Sequence, residues 1–194
     1  MKTLVLASGS PARKDILDAT GVDYIIDVSN YEEDMSLAMS PLDLAVFLSK
    51  NKAKDVAKRH NNAVILAADS FGVFKDELLG KPHTLERAKE MLTLLSGNVH
   101  SFVTGFTIID CDTQKEYSGS AVTKVYFKRL TPEQIDDYLS KEDVLLKAGA
   151  YTIQGLGKDL IDHIEGDYDN VCGLPLGDVA DAIKGFGIEL PQSK

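Results

Sequence analysis

Apolar residues along the chain fall into two rhythms, short unbroken runs and longer helical stripes. Thr3-Leu4-Val5-Leu6-Ala7 is an apolar run that ends on Ser8-Gly9-Ser10-Pro11, the form of a strand passing directly into a helix. The spacing after it predicts a helix from about Pro11 to Ala19, closed by Gly21. Val22 to Val28 reads as a second strand, and Asn30-Tyr31-Glu32-Glu33-Asp34 as an acidic loop. Ser40-Pro41 opens a helix, with Ser as N-cap and Pro at its first position. Leu44, Leu48, Ala53 and Val56 carry that helix to about Arg59. Ala63-Val64-Ile65-Leu66-Ala67-Ala68 contains no polar side chain, as a strand buried on both faces requires, and ends on Asp69-Ser70.

The rest of the chain continues the alternation. Gly72 to Leu79 reads as a hairpin turning at Lys75-Asp76-Glu77 and finishing at Gly80-Lys81-Pro82. Thr84 caps a helix that runs to Leu95 and stops at Gly97. Two longer strands follow, about 99–110 and 116–128, joined by a turn near Asp112-Thr113. Thr131-Pro132-Glu133-Gln134 starts a helix to about Ser140; a strand lies near 160–165, and a last helix spans about Leu176 to Lys184. Interleaved helices and strands make the class α/β, and the two long adjacent strands predict a mixed sheet flanked by helices. No repeat, low-complexity tract or linker divides the sequence, so residues 1–194 are expected to form one domain, with or without two lobes.

Composition narrows the partners. The net charge of −9 argues against a broad nucleic-acid or anionic-membrane surface, but it leaves room for a small anionic ligand in a local basic pocket. No run approaches the roughly 20 apolar residues that span a bilayer, and the N-terminal run is too short for a signal peptide. Cys111 and Cys172 lie far apart with no metal-ligand spacing. These features read as a cytoplasmic protein with incidental thiols.

Candidate chemistry gathers at a few places. A helix N-terminus offers unpaired N–H groups and partial positive charge; with Ser8, Gly9, Ser10, Arg13 and Lys14 around it, the opening loop suits a phosphate. The same residues also read as an ordinary cap with solvated cations, and the loop matches neither G-x-x-x-x-G-K-[ST] nor G-x-G-x-x-G. Asp69, at the end of the apolar run, is either a solvated or metal-bound carboxylate where open α/β sheets gather ligands, or the cap of the following turn. Glu33 offers a second hard oxygen ligand, fitting Mg²⁺ held by one or two carboxylates, or else belongs to a solvated acidic loop. Lys81 is aimed by Gly80 and Pro82, whereas Lys52 reads as readily as a surface residue. Gln154 lies in the glycine-punctuated stretch 149–157, where it would read a base edge or orient a water. The four histidines share no spacing that supports a zinc site or a triad.

Taken in order, these stretches resemble the Maf family of nucleoside triphosphate pyrophosphatases over almost the full length. The resemblance rests on Leu6-Ala7-Ser8-Gly9-Ser10-Pro11 with Arg13, on Glu33, Lys52-Ala53, Ala68-Asp69-Ser70 and Leu79-Gly80-Lys81-Pro82, and on Leu95-Ser96-Gly97. It continues through Lys147-Ala148-Gly149-Ala150-Tyr151, Ile153-Gln154-Gly155, Gly166-Asp167-Tyr168 and Gly173-Leu174-Pro175-Leu176.

The resemblance implies a two-lobed α/β fold similar to the inosine triphosphate pyrophosphatases, with a cleft between the lobes. It implies hydrolysis of a nucleoside triphosphate to monophosphate and pyrophosphate with Mg²⁺ or Mn²⁺, and family members are often dimers. Carried over by position, Ser8, Ser10, Arg13, Lys52 and Lys81 would hold the triphosphate, with Lys14 and the Ser70 hydroxyl beside them. Glu33 and Asp69 would bind the cation and activate water, Asp69 as base, and Gln154 would line the base or sugar end.

Two positions depart from the common pattern: Ala12 stands where a first arginine is usual, and Ser70 where threonine is usual. A branch associated with 7-methylguanosine triphosphate also lacks that arginine, whereas the Gln154 stretch looks like the branch preferring dTTP and UTP. The Gln154 stretch, expected nearer the base, favours a pyrimidine substrate. A nucleotide-binding regulator of cell division that has lost turnover is the reading from a different class, and Ala12 is its one supporting feature.

Overall fold

The computed structural model describes residues 2–190. Its elements are β1 (Thr3–Leu6), α1 (Pro11–Thr20), β2 (Tyr24–Ile26), α2 (Pro41–Ala57), β3 (Ala63–Phe74), β4 (Glu77–Leu79) and α3 (Leu85–Leu95). Then come β5 (Val99–Asp110), β6 (Glu116–Phe127), α4 (Pro132–Lys141), β7 (Ile161–Glu165), α5 (Tyr168–Val171) and α6 (Leu176–Lys184). Among the described residues the strands form a seven-stranded sheet in the order β2-β1-β3-β5-β6-β7, with β4 paired to β3. β1 runs parallel to β2 and β3, while β4 on β3 and β7 on β6 are antiparallel. The sheet is mixed and the class is α/β, as the interleaving predicts. No described helix is long and apolar enough to cross a membrane, and no disulfide joins Cys111 and Cys172.

Helix starts fall where the capping residues put them. Ser40, Thr84 and Thr131 each accept a backbone N–H from the first turn, and Thr131 completes a capping box with Gln134. Gly21 closes α1 in the left-handed conformation, at φ 71°.

Three boundaries differ from expectation. The second strand is only Tyr24–Ile26, because past Asp27 the backbone and its side chains turn to Asp55 and Arg59. α2 stops at Ala57, where Arg59 N–H bonds back three residues to the Val56 carbonyl. β3 does not end at Asp69 but continues to Phe74, pairing Gly72, Val73 and Phe74 with β4. The four-residue α5 is too short to leave a periodic signal in sequence.

Two compact units divide the chain. The first comprises Met1–Ser70, Thr104–Ala121 and Asp169–Lys194, the second Phe71–Val103 and Val122–Tyr168. In the first, strand alternation sends Leu4, Leu6, Val64, Leu66, Ala68, Phe106 and Ile108 to one face, against Ile16 and Leu17 of α1 and Val179 and Ile183 of α6. Val5, Ala7, Ile65, Ala67 and Ile109 pack on the other face with Ala53 and Val56 of α2.

α2 lies unusually close to the sheet at Gly105 of β5. A Cβ there would stand 2.3 Å from Val46 N and 2.6 Å from the Ala45 carbonyl oxygen, so only glycine permits this approach. Beside it, Ser49 Oγ meets Thr107 Oγ1 at 3.0 Å. In the second unit α3 packs on α4, and Met91, Leu92, Val125, Phe127, Ile135 and Tyr138 are among the buried side chains.

Candidate active site

The parallel neighbour β1 leaves β3 early. Its last register partner is Leu6 with Leu66, and Ala7 N–H still donates to the Leu66 carbonyl. Asp69 and Ser70 therefore emerge beyond the C-terminal end of the β1–β3 pair, the place where open α/β sheets bind ligands. Alternation then divides them. Asp69 shares the face of Ile65 and Ala67, toward α2; Ser70 shares the face of Leu66 and Ala68, toward α1.

On the α2 face, Lys52 pairs with Asp69 Oδ1 and, at 2.6 Å, with Glu33 Oε1. The three side chains differ in exposure: 8% for Asp69, 13% for Lys52 and 43% for Glu33. One ammonium thus holds a buried carboxylate and a half-exposed one together. Lys52 is no surface residue. The second oxygen of Asp69, Oδ2, is buried and has no hydrogen-bond partner. Burial pushes the Asp69 carboxyl above its usual range, with Lys52 and then Arg13 opposing the shift. The reading of Asp69 as a turn cap is overturned, since the residue lies inside a continuous strand.

On the α1 face, Arg13 ties three segments together. Its Nε donates to the Gly173 carbonyl at 2.7 Å, Nη1 to Ser8 Oγ at 3.1 Å and Nη2 to Ser70 Oγ at 3.0 Å. Thr104 Oγ1 on β5 donates to Ser70 Oγ at 2.9 Å. Burial draws the Arg13 pKa down, against the pull of the Asp69 and Glu33 carboxylates. Ser10 stands at the N-cap of α1, but its side chain makes no cap hydrogen bond; instead its N–H donates to Ser8 Oγ at 3.2 Å. The opening loop is therefore more than a helix cap. Lys14 is not drawn in, for its ammonium pairs with Asp18 one turn along α1.

Sequence reasoning did not single out Gly173 or Thr104 as parts of this site. Gly173 has φ 103°, and a Cβ on it would lie 3.4 Å from both Arg13 Nε and Ser70 Oγ. Its place in the Gly173-Leu174-Pro175-Leu176 stretch of the family resemblance was the one signal, and nothing local pointed 160 residues back to Arg13.

Lys81 and Gln154 belong to the second unit. Lys81 is exposed, and its segment is fastened to the glycine-punctuated stretch by Gly149 N–H donating to the Gly80 carbonyl at 3.1 Å. Within that stretch Gly149 and Gly155 take positive φ, at 72° and 60°. Tyr151 OH meets Nε2 of buried His100 at 2.8 Å. Gln154 is exposed and its carbonyl accepts from Thr152 Oγ1 at 2.9 Å.

The sequence pattern of the family described as Maf-like protein matches residues 3–186. The chain belongs to the Maf family. A Bacillus cereus (strain ATCC 10987 / NRS 248) relative named dTTP/UTP pyrophosphatase is 42% identical, covering 100% of this chain and 94% of that one. Relatives of the same name from Bacillus anthracis (strain CDC 684 / NRRL 3495) and Lachnoclostridium phytofermentans are each 41% identical, with coverage of both chains at 100% and 98% respectively. The solved structure of a HAM1 protein from Coxiella burnetii aligns at TM-score 0.46 and 17% identity over 83% of this chain and 81% of that one, a likeness too loose to carry an argument.

The Maf-family side chains also bear on a cation. Among the described residues no group of three or more His, Cys, Asp or Glu is placed to hold a metal ion. The unpartnered Oδ2 of Asp69, with Glu33 across the same ammonium, does fit a hard divalent cation that takes one or two carboxylates and completes its shell with water and phosphate oxygens.

Proposed function

We propose that this chain is a nucleoside triphosphate pyrophosphatase acting on a pyrimidine nucleotide of the dTTP/UTP kind, releasing the monophosphate and pyrophosphate. The observation that carries the reading is Asp69: a buried carboxylate with one oxygen on Lys52 and the other unpartnered, beside an arginine-braced helix N-terminus. The names of relatives at 41–42% identity over essentially the whole chain support the substrate class.

In this reading Asp69 is the general base. It takes a proton from the water whose oxygen attacks the α-phosphorus; the bond from that phosphorus to the oxygen bridging to the β-phosphorus breaks, and pyrophosphate leaves. A carboxyl whose pKa is lifted by burial is a stronger base than an exposed one, which suits the role. Ser8, Ser10 and the N-terminus of α1 present hydroxyl and N–H donors to phosphate oxygens, and Arg13 and Lys52 supply positive charge. Glu33 and Asp69 would hold Mg²⁺ or Mn²⁺, which when bound would neutralise phosphate charge and acidify water.

Pyrophosphate release across a panel of nucleoside triphosphates, with Asp69→Asn alongside, tests the reading. Release from dTTP or UTP that Asp69→Asn abolishes supports it. A preference for 7-methylguanosine triphosphate would move the chain to the branch that Ala12 suggests. A folded protein that binds nucleotide without releasing pyrophosphate would leave a binding module.

A further inference from the structure

The loop that carries Glu33 has no regular structure of its own between Asp27 and Tyr31, yet several of its polar groups are held by Asp55 of α2 and by Arg59 and His60 just past that helix. Asp55 Oδ2 accepts from Ser29 Oγ at 3.0 Å and from Asn30 N–H at 2.8 Å, and Ser29 Oγ accepts Tyr31 N–H at 3.0 Å. Arg59 donates to Asp27 Oδ2 at 3.0 Å, to Asp27 Oδ1 at 2.8 Å, to the Val28 carbonyl at 3.0 Å and to Asp55 Oδ2 at 3.2 Å. His60 Nε2 meets Asp27 Oδ2 at 2.7 Å.

Asp55 comes from the same helix as Lys52. Lys52 and Asp55 are three apart, hence on one face of α2, and Arg59 follows just past the helix end. The loop is also close to the opening segment, for a Cβ on Gly9 would stand 3.4 Å from Val28 Cγ2.

We propose that Asp55 and Arg59 are positioning residues, which fasten residues 27–31 to α2 and so fix where the Glu33 carboxylate stands relative to Lys52 and Asp69. The proposal rests on the reading of Glu33 and Asp69 as the working carboxylates. Glu33 is half-exposed and, among the described residues, pairs with Lys52 alone, so its position depends on the backbone that leads to it. That backbone is referenced to α2, and α2 is itself set against the sheet at Gly105. Isolated exposed ion pairs add little to global stability, but a bidentate pair within a network adds more, and Arg59 grips both Asp27 oxygens. The network therefore contributes to stability as well, and its concentration on one loop is what sets where that loop stands.

The test compares wild type with Asp55→Ala, Arg59→Ala and Arg59→Lys, reading melting temperature, amide exchange over 28–34, and kinetics. In Asp55→Ala we expect a melting temperature lowered by no more than a few degrees, exchange at Asn30 and Tyr31 faster by about tenfold or more, and kcat lower by about tenfold with KM for the nucleotide little changed. Arg59→Lys is expected to recover part of what Arg59→Ala loses. In a Glu33→Gln background the further loss from Asp55→Ala should vanish, because the residue acts through Glu33. A loss that persists in that background overturns the proposal, as does unchanged exchange in Asp55→Ala. If wild type releases no pyrophosphate, the functional reading is what fails, and the exchange measurement still decides whether α2 holds the loop.

Discussion

Asp69 and Ser70 are consecutive in β3 and serve opposite faces of the sheet: Asp69 meets Lys52 of α2, and Ser70 meets Arg13 of α1 at 3.0 Å. The pleat of one strand thus distributes a carboxylate and a hydroxyl to two helices that never need to touch each other. It also explains why a strand tolerates two polar residues at its centre. Each finds a partner on its own side, so neither ends the strand.

Asp69→Asn should separate function from stability. Burial holds the folded-state pKa of this carboxyl above 3.8, so the native state binds the proton more readily than the unfolded chain. The stability this group contributes is complete below 3.8 and is lost as pH rises through the raised folded value. Removing the ionised form should therefore leave the melting temperature at pH 7.5 equal to wild type or higher, with the difference shrinking near pH 4. Pyrophosphate release should fall by about 10²–10⁴-fold, the usual worth of a general base. Calorimetry at the two pH values and a turnover assay check both halves. A melting temperature well below wild type at pH 7.5 would mean that the Lys52 pair outweighs the burial.

Gly105→Ala tests how far the site depends on the docking of α2. The added Cβ would meet Val46 N at 2.3 Å, and backbone on a packed helix has nowhere to retreat. Overpacking of this kind costs about 1–3 kcal/mol, which for a chain of this size lowers the melting temperature by about 2–4 °C per kcal/mol. Because Lys52 rides on the same helix, kcat should fall at temperatures where the variant is still folded. Full activity in a destabilised Gly105→Ala would show that α2 can shift without disturbing Lys52.

Much of this arrangement was legible in the sequence, and the unread part has a common cause. Helix starts could be read from Ser40-Pro41, Thr84 and Thr131-Pro132, because caps are local chemistry between residues three apart. The apolar run 63–68 marked a strand buried on both faces. What could not be read is where polar side chains find partners: Lys52 looked like a surface residue, and Asp69 looked like the end of a strand. Their environment is supplied by residues 17 positions apart in sequence for that pair and 160 for Arg13 with Gly173. Pattern along the chain reports which face a side chain takes, not what stands opposite it.

His100 makes the second unit sensitive to acid. It is buried against Phe127 and Tyr151, one ring nitrogen on the Tyr151 hydroxyl and the other, Nδ1, without a partner. Burial lowers its pKa from 6.5 to about 4. The neutral ring contributes stability that is fully present above pH 6.5 and is lost as pH falls toward 4, up to about 3 kcal/mol in all. His100→Gln, which retains a hydrogen-bonding group but does not titrate, should flatten the stability profile between pH 6.5 and 4. Denaturant titrations at half-unit steps in that window would reveal it, and parallel profiles for the two proteins would remove His100 as the cause.

Arg13 and Gly173 should behave as one unit. The guanidinium fork reaches Gly173, Ser8 and Ser70 at once, and an ammonium on a similar stem cannot reproduce that plane of donors. Arg13→Lys should cost about 1.5–3 kcal/mol, the range for hydrogen bonds from a charged group, and raise KM for the nucleotide more than it lowers kcat. Gly173→Ala attacks the same contact from the other end: φ 103° is strained for any residue with a Cβ, and that Cβ would stand 3.4 Å from Arg13 Nε. If the two changes break one interaction, the double variant loses less than the sum of the single ones, by at least about 0.5 kcal/mol. Urea denaturation of the four proteins closes the cycle. Strict additivity would mean that the hydrogen bond from Nε contributes nothing to stability, and that Gly173 is needed for its backbone alone.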